Sequence, residues 1–230
     1  INAIIGYATL LLDGIYGDLG DQQTMGVERT HRAAKHLLEL VNDVLDLSKI
    51  EAGKFEVAVQ PTTFPGLVED LFVTVRPLAD EHGCTLTLEH DGPGLTLETD
   101  PRRVRQILLN LLSNAIKFGA GRPIAVTVAR RAEGGVTIAV RDAGEGIAPE
   151  DLPRVFDEFV QLDRGGALPE AASGTGLGLP ISKRLATLLG GTLDAESVRG
   201  EGSTFRLTLP AVAPTRRDAG EGEAATDGSA

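Results

Sequence analysis

Cysteine is nearly absent from this chain of 230 residues, since Cys84 is the single one. A lone cysteine excludes an internal disulfide framework and a zinc site built from several cysteines of one chain. The sequence also lacks a signal peptide and any apolar run near the roughly 20 residues that a membrane-spanning helix needs. We therefore predict a cytoplasmic location for these residues, and leave open a membrane anchor in an upstream segment of an intact protein.

Basic residues are also scarce relative to acidic ones. The chain has 22 Lys and Arg against 33 Asp and Glu, which gives a formal net charge of −11. A nucleic-acid surface needs clustered cations that displace counterions from phosphates, so this charge predicts no nucleic-acid partner. Apolar residues make up 42% of the chain, which is enough for one large core or two smaller ones.

Two amphipathic helices are predicted at the start of the chain. Apolar residues recur at steps of three and four over residues 1–15 and again over 27–48, with a polar, glycine-rich stretch at 17–21 between them. This pattern predicts an antiparallel helical hairpin within residues 1–54. A hairpin alone would expose much of both apolar stripes, and a second copy can cover them in a four-helix bundle, so we predict a homodimer.

The pattern changes after Gly53, and a second domain is predicted over residues 55–212. Alternating apolar residues predict strands at 55–59, 86–89, 124–130, 136–141, 192–197 and 203–209, and helical patterns cover 65–82, 101–118, 149–156 and 181–189. Consecutive strands among these helices predict an α+β fold, in which a mixed sheet and a helical layer form a two-layer α/β sandwich.

Two segments of the second half are predicted to be irregular. Residues 161–173 have few large apolar side chains, which is typical of a mobile surface loop. Residues 213–230 are rich in Ala, Gly, Glu and Asp, and this composition predicts a disordered acidic tail.

The predicted helix 101–118 carries polar residues with a shared spacing. Steps of three and four place Asn110, Asn114 and Lys117 on one face, opposite the apolar stripe. Amide oxygens are suitable ligands for Mg²⁺, which often shares its shell with substrate phosphates, and the ammonium group would attract a phosphate. The alternative is an ordinary solvated helix face.

Two glycine-containing segments are further candidates for a site. Asp142, Gly144 and Gly146 follow a predicted strand; the carboxylate can accept a hydrogen bond from an exocyclic amine, and glycines let backbone approach a flat base closely. An ordinary Asp/Gly turn is the alternative. Residues 173–180 read Ser-Gly-Thr-Gly-Leu-Gly-Leu-Pro before a predicted helix, and this spacing fits neither a Walker loop nor a dinucleotide fingerprint.

Taken in order, these segments resemble the N, G1, F and G2 boxes of the sensor histidine kinases. The four matching segments are residues 110–118, 142–146, 156–159 (Phe-Asp-Glu-Phe) and 174–179. Residues 1–54 are similar to the dimerisation hairpin of the family, including Leu-Asp-Leu-Ser-Lys-Ile-Glu-Ala-Gly at 45–53. The resemblance covers nearly the whole chain, and it implies the GHKL (Bergerat) ATP-binding fold, which gyrase, Hsp90 and MutL proteins share.

The resemblance implies a role for each matching residue. Asn114 would ligate Mg²⁺ with help from Asn110, and Lys117 would contact a phosphate. Asp142 would receive the adenine amino group. The other implied nucleotide contacts are Phe118, Gly144 and Gly146 around the base, and Gly174, Thr175, Gly176, Leu177 and Gly178, whose backbone N–H groups and helix start would face the phosphates.

The sequence departs from the family pattern in two places. Gln161 stands near where relatives often have an arginine after the second phenylalanine of the F box, and Arg164 is a candidate replacement for that cation. In the family, a segment like residues 1–7 follows directly on the H box, so the phosphoacceptor histidine is expected upstream of Ile1. The histidines of the chain itself are predicted to have surface roles: His31, His36, His82 and His90.

The implied function is a histidine kinase core that uses ATP and Mg²⁺. It would pass the γ-phosphoryl group to the upstream histidine, for relay to an aspartate on the receiver domain of a response regulator. One alternative is an ATP-driven switch or ATPase of the gyrase and Hsp90 kind, but residues 106–110 lack the acidic residue that would activate water. Another is an interaction module with a vestigial site.

Overall fold

Two helices form the N-terminal part of the chain in this computed structural model, which describes residues 1–54, 56–92, 94–161 and 175–214. Helix α1 spans Asn2–Leu12 and helix α2 spans Asp21–Glu51. The two helices pack together, and Thr9 Oγ1 lies 3.3 Å from His31 Nε2 across their interface. Helix α1 ends earlier than the predicted residue 15 because the turn through Gly14 and Gly17 has positive φ angles that end a helix.

The hairpin exposes a row of apolar side chains, as its periodicity predicted. Each of the following is at least 37% exposed: Ile1, Ile4, Tyr7, Leu10, Ile15, Tyr16, Met25, Leu37, Val41, Val44 and Leu45. Many large apolar side chains exposed on one hairpin favour contact with another protein surface. Within the described ranges, no helix is long and apolar enough to cross a membrane.

A small two-stranded sheet joins the hairpin to the second domain. Strand β1 (Gln60–Thr63) pairs antiparallel with β3 (Thr96–Thr99), and β1 leads directly into helix α3 (Phe64–Glu81). The predicted strand at 55–59 is therefore wrong in position, although Phe55 itself lies outside the described residues. Pairing with β3, a strand that the sequence pattern did not predict, decides where β1 lies.

A five-stranded sheet forms one layer of the second domain. In chain order its strands are β2 (Leu86–His90), β4 (Ile124–Arg130), β5 (Val136–Arg141), β6 (Thr192–Val198) and β7 (Gly202–Leu209). Their order in the sheet is β2-β4-β5-β7-β6, in which β2 and β4 are parallel and the other pairs antiparallel. The predicted mixed sheet is thus confirmed.

Three helices form the second layer. Helix α4 (Pro101–Phe118) packs against both α3 and α5 (Gly178–Leu188). Alternate residues of the strands face these helices and are buried, such as Val126, Ile138 and Leu207. The predicted two-layer sandwich is confirmed, and α4 lies in the middle of its helical layer.

Three predicted boundaries differ from the structure. The helix predicted at 149–156 is only a 3₁₀ turn at Leu152–Arg154, and α5 begins at Gly178 instead of residue 181. Ala213, predicted in the tail, is 2% exposed and donates its N–H to the Glu98 carbonyl at 2.7 Å, so the domain extends beyond residue 212. Residues 215–230 of the predicted tail, and most of the predicted loop, lie outside the described residues.

The start of α4 depends on the buried side chain of Asp100. Its Oδ1 accepts hydrogen bonds from the backbone N–H of Arg102 at 3.0 Å and of Arg103 at 3.4 Å, which caps the helix. Its Oδ2 accepts a third bond, from the N–H of Ala58 at 2.9 Å. One carboxylate therefore fixes the first turn of α4 and the segment that leads out of the hairpin.

We predict that Asp100→Ala lowers the free energy of unfolding by about 2 kcal/mol, because it removes a helix cap and a buried acceptor. Asp100→Asn should cost less, since its amide oxygen can still cap α4 while its nitrogen cannot accept from Ala58. Urea unfolding of the three proteins measures this order. Equal stability of the alanine variant and the parent would contradict the assignment.

Candidate functional site

The polar face of α4 forms the floor of the candidate site. The structure places Asn110, Asn114 and Lys117 on one side of the helix, where all three are partly buried. The opposite side is buried in the core and consists of Val104, Ile107, Leu108, Leu111, Leu112, Ala115 and Ile116. Because the apolar residues fix the rotation of α4, the polar side chains must face away from the sheet.

Asn110 joins α4 to the first turn of α5. Its Nδ2 donates a hydrogen bond to Ser182 Oγ at 3.0 Å, and Ser182 is 2% exposed. A Cβ added to Gly178 would collide with Asn110 Oδ1, so glycine is required where α5 begins. The structure thus brings the first residue of the polar face together with the last glycine of the 174–178 segment.

Next to the C-terminal end of α4, a loop after β5 contains Asp142. This carboxylate is 5% exposed, and its Oδ1 accepts a hydrogen bond from the N–H of Gly144 at 2.9 Å. A Cβ on Gly144 would collide with the carbonyl oxygen of Phe118, the last residue of α4. The structure therefore brings Asp142, Gly144 and Phe118 together.

The turn between β6 and β7 supports this loop from the side, and the sequence analysis missed it. Gly146 has a φ of +66° and packs against the Val198 carbonyl, while Gly202, with a φ of +113°, packs against the Asp142 carbonyl. Gly200 donates its N–H to the Glu145 carbonyl at 2.6 Å. The alternate glycines at 200 and 202 repeat the spacing of those at 144 and 146. This repeated spacing is the sequence feature that could have predicted the contact between the turn and the loop.

The glycine-rich segment that precedes α5 is ordered by its own threonine. Thr175 Oγ1 accepts a hydrogen bond from the N–H of Leu177 at 3.1 Å, and Leu177 is fully buried. Gly176 has a φ of +70°, and its carbonyl accepts from the N–H of Phe159 at 3.1 Å. Two predicted contacts, Gly174 and Arg164, lie outside the described residues.

The two phenylalanines before the predicted loop differ in their surroundings. Phe156 makes an edge-to-face contact with Phe205 at 6.4 Å, and Lys183 Nζ lies 4.5 Å from its ring centre. Phe159 is 64% exposed and has a φ of +60°. Of the two rings, that of Phe156 packs against the domain, whereas the side chains of Phe159 and Gln161 are exposed.

Helix α2 contacts the candidate site through three polar pairs. Asp43 Oδ2 accepts from Thr175 Oγ1 at 2.9 Å, and Asp46 Oδ2 accepts from Gln106 Nε2 at 2.9 Å. The third pair joins Glu51 to Arg184 of α5, at 3.0 Å. Burial is the largest influence on Asp43 and raises the pKa of its carboxyl, while the Thr175 hydrogen bond opposes the shift and the nearby Glu39 and Asp46 add to it.

Two family models match the chain. The model described as "His Kinase A (phospho-acceptor) domain" matches residues 1–53, and "Histidine kinase-, DNA gyrase B-, and HSP90-like ATPase" matches residues 99–213. The second match includes α4, the Asp142 loop and the glycine-rich segment. It therefore covers every residue of the candidate site described above.

Individual relatives agree with these matches. The chain is 42% identical over 217 residues to the Non-motile and phage-resistance protein of Caulobacter vibrioides, covering 91% of this chain and 25% of that protein. It is 36% identical over 212 residues to the circadian input-output histidine kinase CikA of Synechococcus elongatus, covering 91% and 28%. The solved structure of full-length ShkA in complex with AMPPNP has a TM-score of 0.76 at 32% identity, covering 93% of this chain and 43% of that one.

The fold and the site define a domain of the GHKL ATPase class. The hairpin that precedes it narrows the class, and the chain belongs to the histidine kinase family, with a dimerisation and phosphoacceptor domain followed by an ATP-binding catalytic domain. It spans about a quarter of the length of the two curated relatives.

The Asn110 contact gives a test of the site's construction. Gly178→Ala should destabilise the catalytic domain, because the new Cβ must displace the Asn110 amide and weaken its bond to Ser182. Gly66→Ala is the matched control, since Gly66 also lies in a helix and has no neighbour within 4 Å of an added Cβ. Thermal unfolding should show a lower midpoint for the first variant and an unchanged or higher one for the second. The opposite order would contradict the packing described.

The Asp43 contact predicts a specific titration. Carboxyl-carbon NMR should give Asp43 a pKa above its ordinary value, and Thr175→Val should raise it further by removing a donor that favours the charged form. An acid whose pKa is raised in the docked state favours docking most at low pH. The contact should therefore weaken as pH rises from the ordinary value through the raised one. An Asp43 pKa at the ordinary value that Thr175→Val leaves unchanged would show that the two residues are apart in solution.

Proposed function

We propose that this chain is the catalytic core of a two-component sensor histidine kinase, which transfers the γ-phosphoryl group of ATP to a histidine for relay to a response regulator. The main support is the arrangement of two loops along the C-terminal half of one helix, α4. Asn110 contacts the glycine-rich segment and Phe118 contacts the Asp142 loop. The eight steps from Asn110 to Phe118 span about 12 Å of helix at about 1.5 Å each, so the site suits an elongated ligand.

The Asp142 end of the site would bind the adenine base. The carboxylate is buried, and it lies beside backbone that approaches at a distance only glycine permits. A carboxylate oxygen accepts a hydrogen bond from the exocyclic amine of adenine, and guanine carries a carbonyl oxygen at that position instead. Gly144, Gly146 and Phe118 would form the walls of this end.

The glycine-rich end would bind the phosphates. Helix α5 begins at Gly178, and the N–H groups of Gly178 and Leu179 come too early in the helix to be paired within it, so together with the helix dipole they favour an anion. Gly174, Thr175, Gly176 and Leu177 would complete this end. Lys117 on the neighbouring helix face would add a positive charge.

The polar face of α4 suits Mg²⁺ through one residue in particular. In the described part of the chain, no group of three His, Cys, Asp or Glu side chains could hold a metal by itself. Mg²⁺ does not require such a group, because it is often bound by one or two protein oxygens together with substrate phosphates. The Asn110 amide oxygen lies against Gly178, so Asn114 is the better ligand. The metal would neutralise phosphate charge during transfer.

Phosphoryl transfer requires positioning and neutralisation of charge more than covalent participation of the protein. The residues above supply both. Gln161 or Arg164, in the predicted surface loop at 161–173, would add further contacts. The competing ATPase function needs an acidic residue to activate water on α4. Gln106 occupies the corresponding stretch, and its amide is bonded to Asp46.

The phosphoacceptor would be a histidine upstream of Ile1, on the helix that α1 continues. Each of the four histidines within the chain contacts a neighbouring residue. His31 lies beside Thr9, His36 beside Glu39, His82 beside the Leu78 carbonyl, and His90 Nδ1 accepts from the N–H of Gly92. The exposed apolar row of the hairpin would pair two copies and place the acceptor near a catalytic domain. The receiver domain of a response regulator would be the second partner.

Nucleotide binding tests the base site. Asp142→Asn should weaken ATP binding at least about tenfold in calorimetry, because the amide nitrogen that replaces one oxygen cannot accept from adenine. Asp80→Asn, an exposed substitution on α3, is the control and should bind ATP as the parent does. Equal affinity of the Asp142 variant and the parent would contradict the assignment.

Radiolabelled ATP tests the transfer. A longer protein that includes the H box should become labelled on histidine, whereas residues 1–230 alone should stay unlabelled. Label on the shorter chain would place the acceptor within it, and steady phosphate release without labelled protein would favour the ATPase instead.

A further inference from the structure

One hydroxyl group makes several contacts where the β6–β7 turn meets the Asp142 loop. Ser197 lies near the end of β6, and its Oγ accepts a hydrogen bond from the backbone N–H of Ile147 at 2.7 Å. The same oxygen donates to the Gly202 carbonyl at 2.9 Å and lies 2.9 Å from Ser203 Oγ. Ser197 therefore joins the end of the Asp142 loop to the start of β7.

The hydrogen count sets the direction of these bonds. A serine hydroxyl has one hydrogen and two acceptor positions. Because Ser197 gives its hydrogen to Gly202, the Ser203 hydroxyl must donate to Ser197, whose other acceptor position receives the Ile147 N–H. The bonding capacity of Ser197 is thus used within the protein, so its effect on a ligand would be indirect.

The loop is held at both of its ends by this turn. At the first end, Asp142 donates its backbone N–H to the Ser203 carbonyl at 2.9 Å, and at the second, Ile147 donates to Ser197. Asp142 and Ile147 are 5% and 6% exposed, so neither N–H can readily turn to water. Loss of the Ser197 oxygen would leave the Ile147 N–H without its acceptor unless the loop moved.

We propose that Ser197 is a positioning residue for the base-binding end of the nucleotide site. It holds the loop between Asp142 and Ile147 in the conformation that presents the Asp142 carboxylate to a base. This inference rests on the proposed function, since it takes Asp142 as the contact for adenine. It assigns base affinity in part to a residue that does not touch the nucleotide.

The test compares Ser197→Ala with Ser197→Thr, which keeps the hydroxyl, and with Thr192→Ala, which removes an exposed hydroxyl from the far end of the same strand. Calorimetry of the full 230-residue chain should show that Ser197→Ala raises the Kd values of ATP and ADP by the same factor, about fivefold or more. The factor is shared because both nucleotides contain adenine. Amide exchange at Ile147 should accelerate in this variant alone.

Rescue by threonine separates positioning from a general loss of stability. Ser197→Thr should restore nucleotide affinity and the protection of Ile147, and Thr192→Ala should change neither. If Ser197→Ala does not fold, Ser197→Cys takes its place, because a thiol is a weaker acceptor and should give the same pattern with a smaller change.

Three results would overturn the inference. They are an ATP Kd for Ser197→Ala within about twofold of the parent value, the same loss in Thr192→Ala, and a change in ATP affinity that ADP does not share. Failure of the proposed function would give a distinct result, which is that the unchanged chain binds no ATP. That result would overturn both the proposed function and this inference.

Discussion

Close contact between backbone segments at glycine is the constraint on which the site depends. The Asp142 loop lies against the end of α4 at Gly144 and against the β6–β7 turn at Gly146 and Gly202, and a side chain at any of the three would collide with a carbonyl oxygen. Gly178 makes the corresponding contact between α5 and Asn110. The core fixes α4, these contacts fix the loops relative to α4, and the loops in turn position Asp142 and the start of α5.

The hairpin is attached to this rigid assembly in a different way. Besides the packing of Leu47 and Ile50, three polar pairs connect the end of α2 to the catalytic domain, and Arg184 also pairs with Glu158. Partly exposed polar pairs each contribute little free energy, so this orientation can change at low cost. Such a joint would suit the proposed function, in which the catalytic domain carries a bound nucleotide to an acceptor. Because Thr175 belongs both to the joint and to the glycine-rich segment, this segment and the hairpin are in direct contact.

Local sequence patterns predicted most helices and strands well, but they did not predict pairings between residues far apart in the chain. Alternation located β4 and β5 at their observed bounds, and periodicity placed Asn110, Asn114 and Lys117 on one helix face. Strand β3 was missed because its four residues gain their structure from pairing with β1, over 30 positions away. The bond between Asp43 and Thr175 joins residues 132 positions apart, and no local pattern records it. Ser197 was missed because a small hydroxyl gives no periodic signal.

The central claim is that one ligand spans the C-terminal half of α4, from Asn110 to Phe118. The most direct measurement is a crystal structure of this chain with AMPPNP and Mg²⁺. The account predicts the adenine amino group within hydrogen-bonding distance of Asp142, and the phosphates between Asn114, Lys117 and the backbone of residues 174–178. A nucleotide bound elsewhere, or bound with its base at the glycine-rich segment and its phosphates at Asp142, would contradict it.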